Sequence, residues 1–182
     1  MRHLPASERH TLSLTVDNEA GVLARIVGLF SARGYNIDSL TVADVTQDHA
    51  VSRITIVTSG PPSIIEQIKA LLERLVPVHS VTDLTVEGPA VERELALVRV
   101  VGQGDARVEA LRLADVYRAR VVDATTRSFV FEVTGATDKI DTFIELMRDL
   151  GLRDVARTGV AALLRGTGDA PHTPFQDEAK KD

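Results

Sequence analysis

Residues Thr11 to Val42 carry a change of hydrophobic period that leaves few ways to fold. TLSLTV alternates apolar and polar residues, as a strand with one buried face does. DNEAGVLARIVGLFSARG then sets Val22, Leu23, Ile26, Val27, Leu29 and Phe30 at helical spacing, and YNIDSLTV returns to a strand-like run. The helix is predicted over about 21–33. Arg33 in its last turn and Gly34 beyond it are the usual way for a helix to stop.

The rest of the chain continues the pattern. Tyr35 to Val45 and Val51 to Thr58 read as strands joined by the turn Thr46-Gln47-Asp48-His49. Pro61-Pro62 breaks the chain, and Ser63 with Glu66 forms a capping-box signature. A helix follows with Ile64, Ile65, Ile68, Leu71, Leu72 and Leu75 on one face, and Pro77 stops it. Val78 to Val86 closes the unit as a strand. The order is β-α-β-β-α-β, the split ferredoxin-like arrangement.

Glu87-Gly88-Pro89-Ala90 is a turn-rich joint, and the order then repeats. Leu95 to Val101 is a strand; Asp105 caps a helix carrying Val108, Leu111, Ala114 and Tyr117. Val121 to Ala124 and Ser128 to Thr134 are strands, and Thr137 caps a helix with Ile140, Phe143, Ile144 and Met147. A last strand runs from Val155 to Leu163 beyond Gly151. The fold class is therefore α+β, with two ferredoxin-like βαββαβ domains over 1–88 and 89–165. The polar, turn-rich tail 166–182 is expected to be disordered.

Composition narrows the function. Zero cysteines excludes disulfides, thiol nucleophiles and thiolate metal sites, and fits a reducing compartment. No run approaches the roughly 18 apolar residues of a spanning helix, and MRHLPASERH lacks a signal-peptide core. A soluble, cytoplasmic chain with no membrane partner is expected. The net charge is −5, and the halves divided after Ala90 carry 7 basic against 10 acidic and 14 against 16 residues. With aromatics at 4 % for stacking, nucleic acid is disfavoured as a partner.

The turn Asp17-Asn18-Glu19-Ala20-Gly21 is the most informative candidate site. It feeds a helix whose first N–H groups lack intrahelical partners, and such a terminus attracts a carboxylate. Gly21 allows close approach to the backbone, and Asn18 both donates and accepts hydrogen bonds. An α-amino acid offers the matching carboxylate and ammonium. An ordinary helix cap uses the same residue types, so the turn alone leaves both readings open.

Other chemistry is poorly supported. Gly102-Gln103-Gly104 follows a strand and precedes a helix, but the third glycine of a dinucleotide fingerprint falls at Arg107. There is no P-loop and no GxSxG elbow. His3, His10, His49, His79 and His172 lack metal-ligand spacing and are expected at the surface. Arg25, Arg33, Arg53 and Lys69 read as solvated or intersubunit groups, with Arg53 an interface candidate. Asn36, at the start of the second strand, is ordinary turn chemistry by itself.

Taken together, DNEAGVLARIVGLFSARGYNIDSLTVA, SRITI, VERELALV and VARTGVAAL resemble the regulatory small subunits of acetohydroxyacid synthase, in order and spacing, from about Thr11 to Arg165. The resemblance implies an N-terminal ACT domain and a second ferredoxin-like domain. It implies a non-catalytic chain, without a cofactor of its own, that binds the catalytic large subunit, raises its activity and confers feedback inhibition by valine. Thiamine diphosphate, Mg and FAD would belong to that partner. The family's ACT domains form homodimers side by side and hold the effector between chains. By matching positions Asn18, Ala20, Gly21, Val22 and Leu23 would line the loop of one chain, and Asn36 and Ile37 would approach from the other. Helix-start N–H groups and Asn18 would take the effector's carboxylate, Asn36 and a carbonyl its ammonium, and Ile37 with Leu23 its branched side chain. Leucine or isoleucine could also bind, because one methylene changes affinity by only about 1–3 kcal/mol.

A competing reading is an ACT-type sensor of a different target, metabolic or transcriptional. The lack of a helix-turn-helix segment argues against the transcriptional version, and the second-half resemblance favours the synthase partner. An enzymatic reading ranks last.

Overall fold

The computed structural model describes residues 7–166. The tail beyond Gly166 and the first six residues, with His3 and His172, lie outside the described residues. The chain forms two compact units. One ends at Val91 and is rejoined by the chain from Ala162; the other is Glu92–Ala161.

In the first unit β1 (Glu8–Asp17) leads into α1 (Val22–Arg33), then β2 (Ser39–Asp44), β3 (Val51–Gly60), α2 (Pro62–Glu73) and β4 (Val78–Asp83). The strands lie in the order β2-β3-β1-β4, and all pairings are antiparallel. Leu12 faces Ile56 and Leu14 faces Ile54 across β1 and β3. With Val16, Val22, Ile26, Phe30, Ile65, Ile68 and Leu72 they form one buried core, the main source of stability for a sheet covered by helices.

The second unit repeats the plan. β5 (Ala90–Val101) is followed by α3 (Gly104–Val116), β6 (Arg120–Ala124), β7 (Ser128–Gly135), α4 (Thr137–Arg148) and β8 (Leu152–Arg157). Their order is β6-β7-β5-β8, and β9 (Ala161–Leu164) pairs with β5 off this path. Val98, Val100, Phe129, Phe131, Ile140, Phe143 and Met147 are the heart of its core. Phe131 meets Phe143 edge to face at 6.1 Å between ring centroids, a favoured aromatic geometry. The fold is thus α+β with two βαββαβ units.

Several local expectations are corrected. The second strand begins at Ser39, not Tyr35, because Asn36 and Asp38 are engaged in loop hydrogen bonds. α2 starts two residues early: Pro61 is its cap and Pro62 occupies its first turn, where a fixed φ and absent N–H cost nothing, so Ser63 is not its cap. Asp105 and Thr137 likewise lie inside their helices, after Gln103 and Ala136. β4 stops at Asp83, where Val86 and Glu87 both donate backbone N–H groups to the Asp83 carbonyl. The last expected strand is two, β8 and β9, separated at Gly159, whose φ of +82° leaves the extended region. On α3 the buried face is Ala110 and Ala114, while Val108 and Leu111 are exposed.

Candidate effector-binding site

The β1–α1 turn is built by backbone rather than by a side-chain cap. Asp17 N–H donates to the Pro77 carbonyl at 2.9 Å and Asn18 N–H to the Ala50 carbonyl at 2.8 Å. The Asn18 side-chain amide donates to the His49 carbonyl at 2.8 Å. Asn18 therefore straps the turn to the β2–β3 loop instead of capping α1. Gly21 stands at the N-cap with φ +91° and ψ −10°, and no side chain caps the helix. A Cβ added at Gly21 would meet nothing within 4 Å, so the left-handed backbone, not crowding, favours glycine there.

Exposure sorts the remaining turn residues. Asn18, Ala20, Gly21 and Leu23 are exposed, whereas Val22 is buried in the core and its N–H donates to the Glu19 carbonyl. Leu23 also leaves the apolar face expected of α1, since only Val22, Ile26 and Phe30 are buried. Two aspartate–histidine pairs flank the turn: His79 Nε2 to Asp17 Oδ1 at 2.7 Å and His49 Nδ1 to Asp44 Oδ2 at 2.6 Å. The Asp44 carboxylate holds the His49 imidazole above the usual histidine range. Hydrogen bonds from Thr46 and from the Ala50 N–H lower Asp48.

Asn36 and Ile37 lie elsewhere. The Asn36 amide donates to Asp38 Oδ1 and its carbonyl accepts from Thr58 Oγ1 at 2.7 Å, while Ile37 packs against the core. Asn18 is tied to Ala50, beside the start of β3 at Val51; Asn36 is tied to Thr58 near its end. At the strand rise per residue, Val51 and Thr58 are about 23 Å apart. Within one chain the two groups of expected site residues therefore occupy opposite ends of β3.

Some roles were missed or misjudged from sequence. His10 is buried, with Nδ1 2.8 Å from Asp83 Oδ2, rather than at the surface. Its position two residues before Leu12, on the inward side of β1, was the available signal. The place of the third fingerprint glycine is filled by Arg107, whose guanidinium lies 3.7 Å from the Phe129 ring centroid. Glu94 and Arg157, one from each second-half motif, are joined by two hydrogen bonds at 2.6 and 2.7 Å.

These features define an ACT-type regulatory architecture: a βαββαβ unit with an exposed glycine turn at its first helix, followed by a second unit of the same plan. Residues 12–80 match the family model described as "AHAS small subunit-like ACT domain", and residues 93–166 match "Small subunit of acetolactate synthase". A "Probable acetolactate synthase small subunit" of Archaeoglobus fulgidus is 44 % identical over 87 % of this chain and 98 % of its own length. The "Acetolactate synthase isozyme 3 small subunit" of Escherichia coli is 42 % identical over 87 % of this chain and 96 % of that protein. The crystal structure of the small subunit from Thermotoga maritima superposes with a TM-score of 0.78 at 34 % identity, covering 88 % of this chain and 99 % of that one. The chain belongs to the family of acetolactate synthase small subunits.

Proposed function

We propose that this chain is the non-catalytic regulatory subunit of acetohydroxyacid synthase, binding the catalytic subunit, stimulating it, and conferring feedback inhibition by valine. The effector site belongs to the N-terminal ACT domain, assigned to 1–88, and the domain at 89–165 completes the regulatory subunit. The observation that carries this reading is the separation of Asn18 and Asn36 at opposite ends of β3. Antiparallel side-by-side pairing of two chains through the edge strand β2 sets the start of one β2, next to Asn36 and Ile37, against the end of the other. That end leads into the β2–β3 loop to which Asn18 is strapped. A two-chain site then offers what neither chain has alone: the first-turn N–H groups of Leu23 and Ala24 beyond Gly21 for a carboxylate, an amide for an ammonium, and Leu23 for a branched side chain. Valine inhibits by binding one state of the holoenzyme better than another, since equal binding shifts nothing.

The test is the rate of acetolactate formation from pyruvate by the cognate catalytic subunit, titrated with this chain, with and without millimolar valine. Stimulation reversed by valine supports the reading; no stimulation refutes it in favour of a sensor with another target.

A further inference from the structure

We propose that β6, the outer strand of the second sheet, is a self-association edge that pairs antiparallel with β6 of a second copy of this chain. Every residue of this strand is exposed, Val121 and Val122 at 43 % and 50 %. Its inner side pairs with β7, so its outer side presents unpaired backbone groups. The register is unusual. Arg120 faces Glu132 and Val121 faces Phe131, but Asp123, not Val122, faces Val130. Val122 is the extra residue of a bulge.

The bulge has a specific consequence. In a regular strand, residues three apart lie on opposite faces. Here Arg120 and Asp123 oppose Glu132 and Val130, which are two apart, so both lie on the sheet face away from α3 and α4, while Val121 is on the Phe131 side. One two-fold antiparallel register then satisfies Arg120 to Asp123. Arg120 faces Asp123 of the second copy, Asp123 faces its Arg120, and Val121 faces Val122 in both directions. Two opposite-charge pairs flank two apolar pairs, and the charged residues all share one face of the sheet. Cross-strand pairs of these types stabilise a sheet, and an isologous interface requires such self-complementarity. A register moved by one residue in either direction loses the charge match.

The chain has no cysteine, so introduced thiols report on this edge alone. Full-length V121C and V122C chains are mixed in equal amounts and oxidised mildly; V121C mixed with a chain carrying D149C, at an exposed site on another element, is the control. The proposal expects several-fold more covalent dimer from the first mixture. Adding D123R to both thiol chains sets arginine against arginine and should reduce that yield about tenfold. Combining D123R/V121C with R120D/V122C restores both opposite-charge pairs and should restore the yield, which a misfolded variant could not do. A yield equal to the control, or one indifferent to D123R, overturns the proposal. Failure of the charge swap to recover the yield overturns the register on which it rests. None of these outcomes depends on the catalytic partner or on valine.

Discussion

The guanidinium of Arg157 forks onto the carboxylate of Glu94, 63 residues earlier, with Nε and Nη2 each donating to one oxygen at 2.6 and 2.7 Å. Nη1 also reaches Asp141 at 2.7 Å. The Glu94 side chain is 4 % exposed and that of Arg157 33 %. Next to them Leu95 N–H donates to Thr158 Oγ1, and Thr158 N–H donates back to the Leu95 carbonyl. The two second-half sequence motifs thus meet at one place, where β8 leaves the sheet.

Removing the guanidinium there leaves a buried carboxylate without its partner. R157A should destabilise the second unit by about 2–4 kcal/mol, less than for a wholly buried pair because Arg157 is one-third exposed. R157K keeps the charge but not the fork, and should fall between R157A and wild type. Urea denaturation followed through Tyr117, in a Tyr35→Phe chain so that one tyrosine reports, measures both. Wild-type stability in R157A would contradict this role.

Gly151 is held at φ +98°, and an added Cβ would come within 2.1 Å of the Val101 carbonyl oxygen, whose own residue's N–H donates to the Gly151 carbonyl. G151A combines a backbone clash with left-handed strain. It should cost about 3–5 kcal/mol, with loss of amide protection where β5 pairs with β8, measured by hydrogen exchange.

At Gly21 the outcome differs, since the space is open. G21D should cost only about 1 kcal/mol of helix-start strain, because aspartate tolerates this conformation better than most residues. It nonetheless places a carboxylate where the proposed site would hold the effector's own. The variant should still stimulate the catalytic subunit but lose its valine response in the steady-state assay. A normal valine response would remove Gly21 from the site.

His49 should titrate above the usual histidine range, because its hydrogen bond to Asp44 favours the imidazolium. Its folded-state pKa is raised, so the pair's contribution to the loop is complete below the unfolded histidine pKa and is lost as pH rises through the folded value. Proton NMR of the His49 ring should show this, and D44N should bring the titration down. An unchanged titration in D44N would contradict the cause.

The helix–strand order was legible because the period change is sharp around Gly21 and Gly34, where positive φ values end and begin elements. Cap positions were less so: Ser63, Asp105 and Thr137 are all good capping residues, yet the caps are Pro61, Gln103 and Ala136, two, two and one positions earlier. The inward face of α3 was misread because Ala110 and Ala114 allow close packing that larger, exposed Val108 and Leu111 would not. The turn Asn18 to Leu23 was visible as a motif, but the strap from Asn18 to His49 links residues 31 apart in the chain. The burial of His10 likewise depends on Asp83, brought alongside only by the β1–β4 pairing. The ends of β3 that separate Asn18 from Asn36 follow from register, which composition and spacing do not encode.

The central claim is that one effector site is made from two chains, and mixing two damaged chains tests it directly. G21D and N36A should each bind no valine by calorimetry when alone. In a re-equilibrated equimolar mixture, half of the dimers are mixed, and each of these has one site with both defects and one with neither. The account predicts that valine binding returns at about one quarter of the wild-type site number, the statistical share for random pairing. No recovery in the mixture, with both variants folded and exchanging, would contradict a shared site.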